Sequence, residues 1–183
     1  MSRLLLPAAL AALLATPTAE ALPPADSTPV NDALFAQAAA ASGMGEVAVS
    51  ELGQKKAEDS KLKEFSEKAA ADHAKMNQEL AALAAKKGIA LPAQLDARSQ
   101  FCIQSLSGEP KDSFDACYAK AQLAIHIEAV GAFEAEAQRG RDPDLKALAE
   151  KALPKIKEHL HMLKPIVMKY ENKREEGSDK SAK

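Results

Sequence analysis

Apolar residues recur at the helical period in four stretches of this chain, roughly Asp32 to Ala57, Ser60 to Lys87, Asp112 to Gln138 and Pro143 to Tyr170. Each stretch carries start or stop signals. Asp59 or Ser60 can cap the second helix and Gly88 ends it. Asp112 or Ser113 can open the third and Gly140 closes it. Asp142 then stands before Pro143, which places a capping acid ahead of a proline at the first helical position. Pro154 falls inside the fourth stretch and is expected to kink it, since it removes one backbone hydrogen bond.

The joins between the first and second helices and between the third and fourth are short, so each pair is expected to form an antiparallel hairpin. The join from Gly88 to Lys111 is much longer and holds a weakly helical piece from Pro92 to Leu106. A connection of that length can run the height of a bundle. The expected fold is therefore all-α, a ferritin-like four-helix bundle with a long crossover between the second and third helices.

The ends read differently. Arg3 precedes an apolar run from Leu4 to Ala15, and Ala19-Glu20-Ala21 follows, the layout of a secretory signal covering residues 1–21. The run is too short for a membrane span, so cleavage would leave no transmembrane segment. Residues 22–30 form a Pro-rich tether expected to be disordered, the helical domain covers 31–170, and 171–183 read as a solvated, charged, disordered tail. The expected location is periplasmic or otherwise in the cell envelope.

Composition narrows the function. The chain has 183 residues, no Trp, 4% aromatic residues and a formal charge of −2, with no one-sidedly basic stretch. That argues against nucleic acid as a partner, because phosphate affinity comes mostly from clustered Lys and Arg. There is no Gly-rich phosphate loop and no nucleophile elbow, so a hydrolase or nucleotide enzyme has no support.

Laid out at 100° per residue, three of the four His point inward: His73 beside Leu62, Ala69 and Leu80; His126 beside Ala119, Ala129 and Phe133; His159 beside Ala152, Ile156 and Leu163. His161 points outward. Glu46 is the odd residue in the stripe of the first helix, with Ser42, Gly43, Ser50 and Gly53 leaving room around it. Counted along the helices, Glu46, His73 and His126 share one level, while His159 is offset by roughly 6 Å. A Glu with two or three imidazoles is a reasonable site for a divalent transition metal such as Zn, Cu or Fe. The alternative is that each His is a core residue satisfied by a neighbour; Asn77 lies four residues from His73, and Gln122 four from His126. A di-iron centre is not expected. It needs Glu-x-x-His pairs, and Ala70 and Ile156 stand where those Glu would be.

Four segments carry a resemblance to a known family. Ala48-x-x-x-Leu52-x-x-x-Lys56-Ala57, Asp72-His73-x-x-x-Asn77-x-x-Leu80, Phe114-Asp115-x-x-Tyr118-x-x-x-Gln122-x-x-x-His126 and Leu153-Pro154-x-Ile156-x-x-His159-Leu160 resemble, in order and spacing, the bacterial family known as domain of unknown function 4142. The likeness covers about residues 31 to 165. It implies a ferritin-like helical bundle and export, and no established activity. Carried over by position, it implies roles for Glu46, Asp72, His73, Asn77, Asp115, Tyr118, Gln122, His126 and His159, with Asp72, Asn77, Asp115, Tyr118 and Gln122 supporting a metal held by Glu46 and the three His.

Cys102 and Cys117 are an even count in a chain expected to be exported, so a disulfide is expected, stapling the crossover to the outside of the third helix. Two functional classes remain. One is an exported bundle that binds a transition metal or small ligand through Glu46, His73, His126 and His159. The other is a non-catalytic envelope or stress-associated interaction protein whose inward polar residues only fix helix register.

Overall fold

The computed structural model describes residues 30–181, so the expected leader and most of the tether lie outside the described residues. Five helices follow in order: α1 (Asp32–Lys56), α2 (Ser60–Lys87), α3 (Ala97–Gly108), α4 (Lys111–Arg139) and α5 (Pro143–Ser181). The protein is all-α, a helical bundle, with no strand among the described residues. α1 packs on α2 and α4 on α5, α2 also meets α5, α1 also meets α4, and α3 lies across α1 and α4.

Caps account for most helix boundaries. The Leu34 N–H donates to Asn31 Oδ1 at 3.1 Å, Lys61 N–H to Asp59 Oδ1 at 2.8 Å, and Ser99 N–H to Asp96 Oδ1 at 2.7 Å. Asp142 Oδ1 accepts from the Asp144 and Leu145 N–H groups, with Pro143 at the first position of α5. Gly88 ends α2 at φ 67°, the left-handed conformation that costs glycine least. Asp112 and Ser113 were expected to open α4, but it begins at Lys111 after Pro110, with no side-chain cap. The proline ring fixes the entry φ and replaces the polar cap.

Helix ends meet in two tied layers. At one end the Glu58 and Asp59 N–H groups, in the α1–α2 turn, donate to the Asp115 carboxylate near the start of α4, and the Tyr170 hydroxyl donates to the same carboxylate at 3.2 Å. At the other end Asp32 Oδ1 accepts from the Arg141 and Asp142 N–H groups, and Lys87 pairs with Asp142 and Asp144 at 2.7 Å each. α2 and α4 therefore start at the same end and run the same way. The segment Ile89 to Glu109 carries the chain back up the outside, and Lys56 Nζ closes it by donating to the Leu106, Ser107 and Glu109 carbonyls at the end of α3.

Two apolar clusters fill the interior. The first joins Phe65, Leu62, Phe114, Tyr118 and Leu163 near the Asp115 end; the second joins Phe35, Leu80, Leu145 and Ala149 near the Asp32 end. The inward histidines lie at the waist between them.

Two expectations change. α5 continues past Tyr170 to Ser181 where a disordered tail was expected. Cys102 and Cys117 are not joined by a disulfide. Both are half-buried and pack against the first apolar cluster, so Cys117 does not stand clear on the outer face. Pro154, where a kink was expected, lies within α5, as does Pro165, and the helix continues past both.

Candidate metal centre

His73 on α2, His126 on α4 and His159 on α5 are all buried, and their rings meet at one point. His126 Nε2 lies 3.4 Å from His73 Nε2 and 3.3 Å from His159 Nδ1, and one nitrogen from each ring falls within 4.8 Å of the others. The second nitrogens of two rings are already committed. His126 Nδ1–H donates to the Gln122 carbonyl at 2.9 Å, and His159 Nε2–H donates to Asp72 Oδ2 at 2.9 Å. With those protons placed, His126 Nε2 and His159 Nδ1 present bare lone pairs to one another. A proton on His73 Nε2 serves one of these gaps and leaves the other unserved.

The expected offset of His159 vanishes for a stereochemical reason. Side chains on a helix lean toward its N-terminus, and α4 and α5 run in opposite directions. His126 and His159 therefore lean toward each other and close the height difference. Phe65 covers the rings on one side, its centroid 5.6 Å from that of His126 and 6.1 Å from that of His159, both edge-to-face.

Burial dominates the electrostatics. It lowers His73 to about 3, helped by the charges His126 and His159 would carry, and lowers His126 to about 4 against the opposing Gln122 bond. His159 is also lowered by burial, partly offset by its bond to Asp72. Burial alone would raise Asp72, but the hydrogen bonds from His159 and Lys68 and the Lys68 charge outweigh it and hold it below the usual carboxylate range. All three imidazoles are thus neutral near pH 7, the form that binds metal.

Not every expected residue joins. Glu46 is buried, but it sits on the Nδ1 side of His126, with Oε2 at 3.9 Å, away from the nitrogen that faces His73 and His159. It is not one of the converging atoms. Burial raises its carboxyl to about 8, with Gln122 and Arg98 pulling back only in part. Asp72 and Gln122 do support the cluster, although Gln122 does so through its backbone carbonyl. Asp115 belongs to the helix-end layer described above. Tyr118 bonds Ser66 Oγ at 2.7 Å, in a space that exists because residue 53 is glycine: a Cβ there would lie 2.4 Å from both oxygens. Asn77 packs against α1 at Gly43, where a Cβ would lie 1.9 Å from its Oδ1.

Three residues of consequence escaped the sequence reading. Phe65 precedes His73 by eight residues on one helix face, and Lys68 precedes Asp72 by four, so both were open to periodicity. Glu136, fully buried, continues the inward stripe of Ala129 and Phe133 by one turn.

A model of the family described as "Domain of unknown function (DUF4142)" matches residues 15–166. The chain belongs to that family. Among solved structures it is similar to a DUF305 fragment from Deinococcus radiodurans, with a TM-score of 0.67 and 10% identity, over 78% of this chain and 99% of that one. At that identity the likeness speaks for the helical fold alone. No curated protein matches.

Proposed function

We propose that this protein binds a divalent transition metal through His73, His126 and His159, within an exported four-helix bundle of ferritin-like topology. The observation that carries the metal is the convergence of three ring nitrogens, His126 Nε2 at 3.4 Å from His73 and 3.3 Å from His159 and all three within 4.8 Å of one another, with the protons of two rings held elsewhere. Two nitrogens bound tetrahedrally to zinc at about 2.0–2.1 Å lie about 3.3–3.4 Å apart. The second nitrogens, tied to a backbone carbonyl and a carboxylate, match the way metal-bound imidazoles are oriented. Three neutral imidazoles with no carboxylate ligand favour zinc or copper over manganese or magnesium. A fourth position would remain for water or a small ligand.

The parallel run of α2 and α4 supports the ferritin-like topology. The leader pattern of residues 1–21 supports export, and N-terminal sequencing of the mature protein tests it. No described helix is long and apolar enough to cross a membrane.

The deciding experiment is elemental analysis of untagged protein purified from its native compartment, together with melting curves in Zn, Cu and Fe. Bound metal, and a rise in melting temperature that His73→Ala plus His126→Ala abolishes, support the reading. Melting curves unchanged by all three metals, with none found by analysis, overturn it and favour an interaction protein whose buried His only set helix register.

A further inference from the structure

Away from the histidines, α1, α4 and the first turn of α3 enclose a half-open groove of about 750 Å³. Its walls are mostly apolar, with Leu34, Phe35, Val49, Ile125, Ala129 and Phe133 among them. That volume and lining match those of small-molecule sites. The ionisable side chains lining it are mostly acidic: Glu46, Asp96, Glu128 and Glu136 against Arg98, which itself pairs with Glu128 across the mouth.

Glu46 is the decisive member. It is only 2% exposed, lines the groove, and neither carboxyl oxygen has a hydrogen-bond partner. A buried carboxyl without a partner costs folding free energy, so the position calls for a donor from outside the chain. Glu136 lines the same groove, ten residues beyond the level of His126 on α4. At 1.5 Å per residue, about 15 Å of apolar channel separates the two.

We propose that this groove binds a linear amphipathic amine, its ammonium seated on Glu46 and its aliphatic chain lying between α1 and α4 toward Phe35 and Phe133. The ammonium supplies a donor within hydrogen-bond distance and a closer cation than Arg98, whose charge and the Gln122 side chain offset the burial of Glu46 only in part, and the mostly acidic lining favours a cation over an anion. A channel of about 15 Å accommodates a chain of about twelve carbons. A polyamine fits less well, because its internal nitrogens would meet apolar walls with no acceptor. The inference does not depend on the metal reading, since Glu46 stands on the side of His126 away from the facing nitrogens.

The test is calorimetric titration of the full chain with dodecylamine below its aggregation concentration, beside dodecanoate, 1-dodecanol and butylamine. Dodecylamine should bind at one equivalent, at least tenfold tighter than each of the other three. Glu46→Gln should weaken it at least tenfold while the metal-dependent melting shift, where wild type shows one, persists. Ala129→Phe, which fills the groove and leaves the Glu46 carboxyl in place, should abolish binding of every long-chain probe. Equal affinity for dodecanoate, an unchanged affinity in Glu46→Gln, or no binding of dodecylamine overturns the proposal. If Glu46→Gln fails to fold, the Ala129→Phe result and the ranking of amine over acid and alcohol decide it.

Discussion

Two buried polar groups of this molecule, about two helical turns apart, are built on opposite plans. Around Tyr118, the phenol meets Ser66 Oγ, and Ser66 Oγ meets the Leu62 carbonyl at 2.6 Å. The two hydroxyls pass their protons in sequence to a backbone carbonyl, so this chain of bonds ends on the protein itself. At His73, His126 and His159 the matching runs outward instead, to Gln122 and Asp72, and leaves acceptor nitrogens facing one another. A closed network fixes packing. A cluster whose lone pairs converge has room for a cation, which is what the metal reading proposed above rests on.

Acid should break the comparison most strongly, acting on the histidines and not on the phenol. The His73 and His126 values, about 3 and about 4, lie below the ordinary value near 6.5, so the folded state binds fewer protons than the unfolded one across that window. Their contribution is fully present above about pH 6.5 and is lost as pH falls through about 4 and 3. Metal-free protein should lose stability of the order of a few kcal/mol over this range, as read by urea titration at stepped pH. Glu46 works in the opposite sense: raised to about 8, its contribution is present below about 4.5 and lost as pH rises through 8. A profile in which acid leaves stability unchanged in both wild type and Glu46→Gln would contradict neutral burial of the imidazoles.

Next in size is the closed network. Gly53→Ala places a methyl 2.4 Å from the Tyr118 and Ser66 oxygens, so α1 must back away from α4. About 2–3 kcal/mol of stability should be lost in chemical denaturation. Affinity for zinc should stay within about twofold, because the change lies on the far side of Phe65. A large loss of zinc affinity would mean that the two clusters are coupled and not separate.

How much of this was visible in the chain itself follows from what helix periodicity encodes. The inward His were legible because direction around a helix depends only on spacing, and the all-α class followed from the same pattern. Three things were not. Asp72 points 100° away from His73 and yet bonds His159, a partner 87 residues on, which no pattern within one helix reveals. Glu46 was placed at the right height but not on the right side of His126, because height is set by counting and side by the packing of neighbouring helices. The cysteines were paired on parity and compartment, whereas the placement of α3 against α1 and α4 sends each thiol into the core surface.

Asp72→Ala probes the open cluster at its edge. Asp72 is partly exposed and paired with Lys68, so its loss should change stability by less than about 1 kcal/mol. Its bond to His159 Nε2 nevertheless sets which nitrogen of that ring keeps the lone pair. Without it the ring is free to turn or change tautomer, and zinc affinity should fall about 10–100-fold by competition titration against a chromophoric chelator. Stability and affinity would then separate at one residue, in the sense opposite to Gly53→Ala. A loss of stability with affinity intact would place Asp72 among the closed contacts.

The smallest expected effect is on the cysteines. A disulfide closing the 15-residue step from Cys102 to Cys117 would add roughly 3 kcal/mol in the chain-entropy model, and reducing it would lower the melting temperature of a domain this size by several degrees. The two are not bonded, and both are half-buried against the first apolar cluster. A strong reductant should therefore leave the melting temperature within about 1 °C, while Cys102→Ser should cost only the small apolar contact of one sulfur atom with that cluster. A fall of several degrees on reduction would show instead that α3 is held to α4 by a covalent bridge.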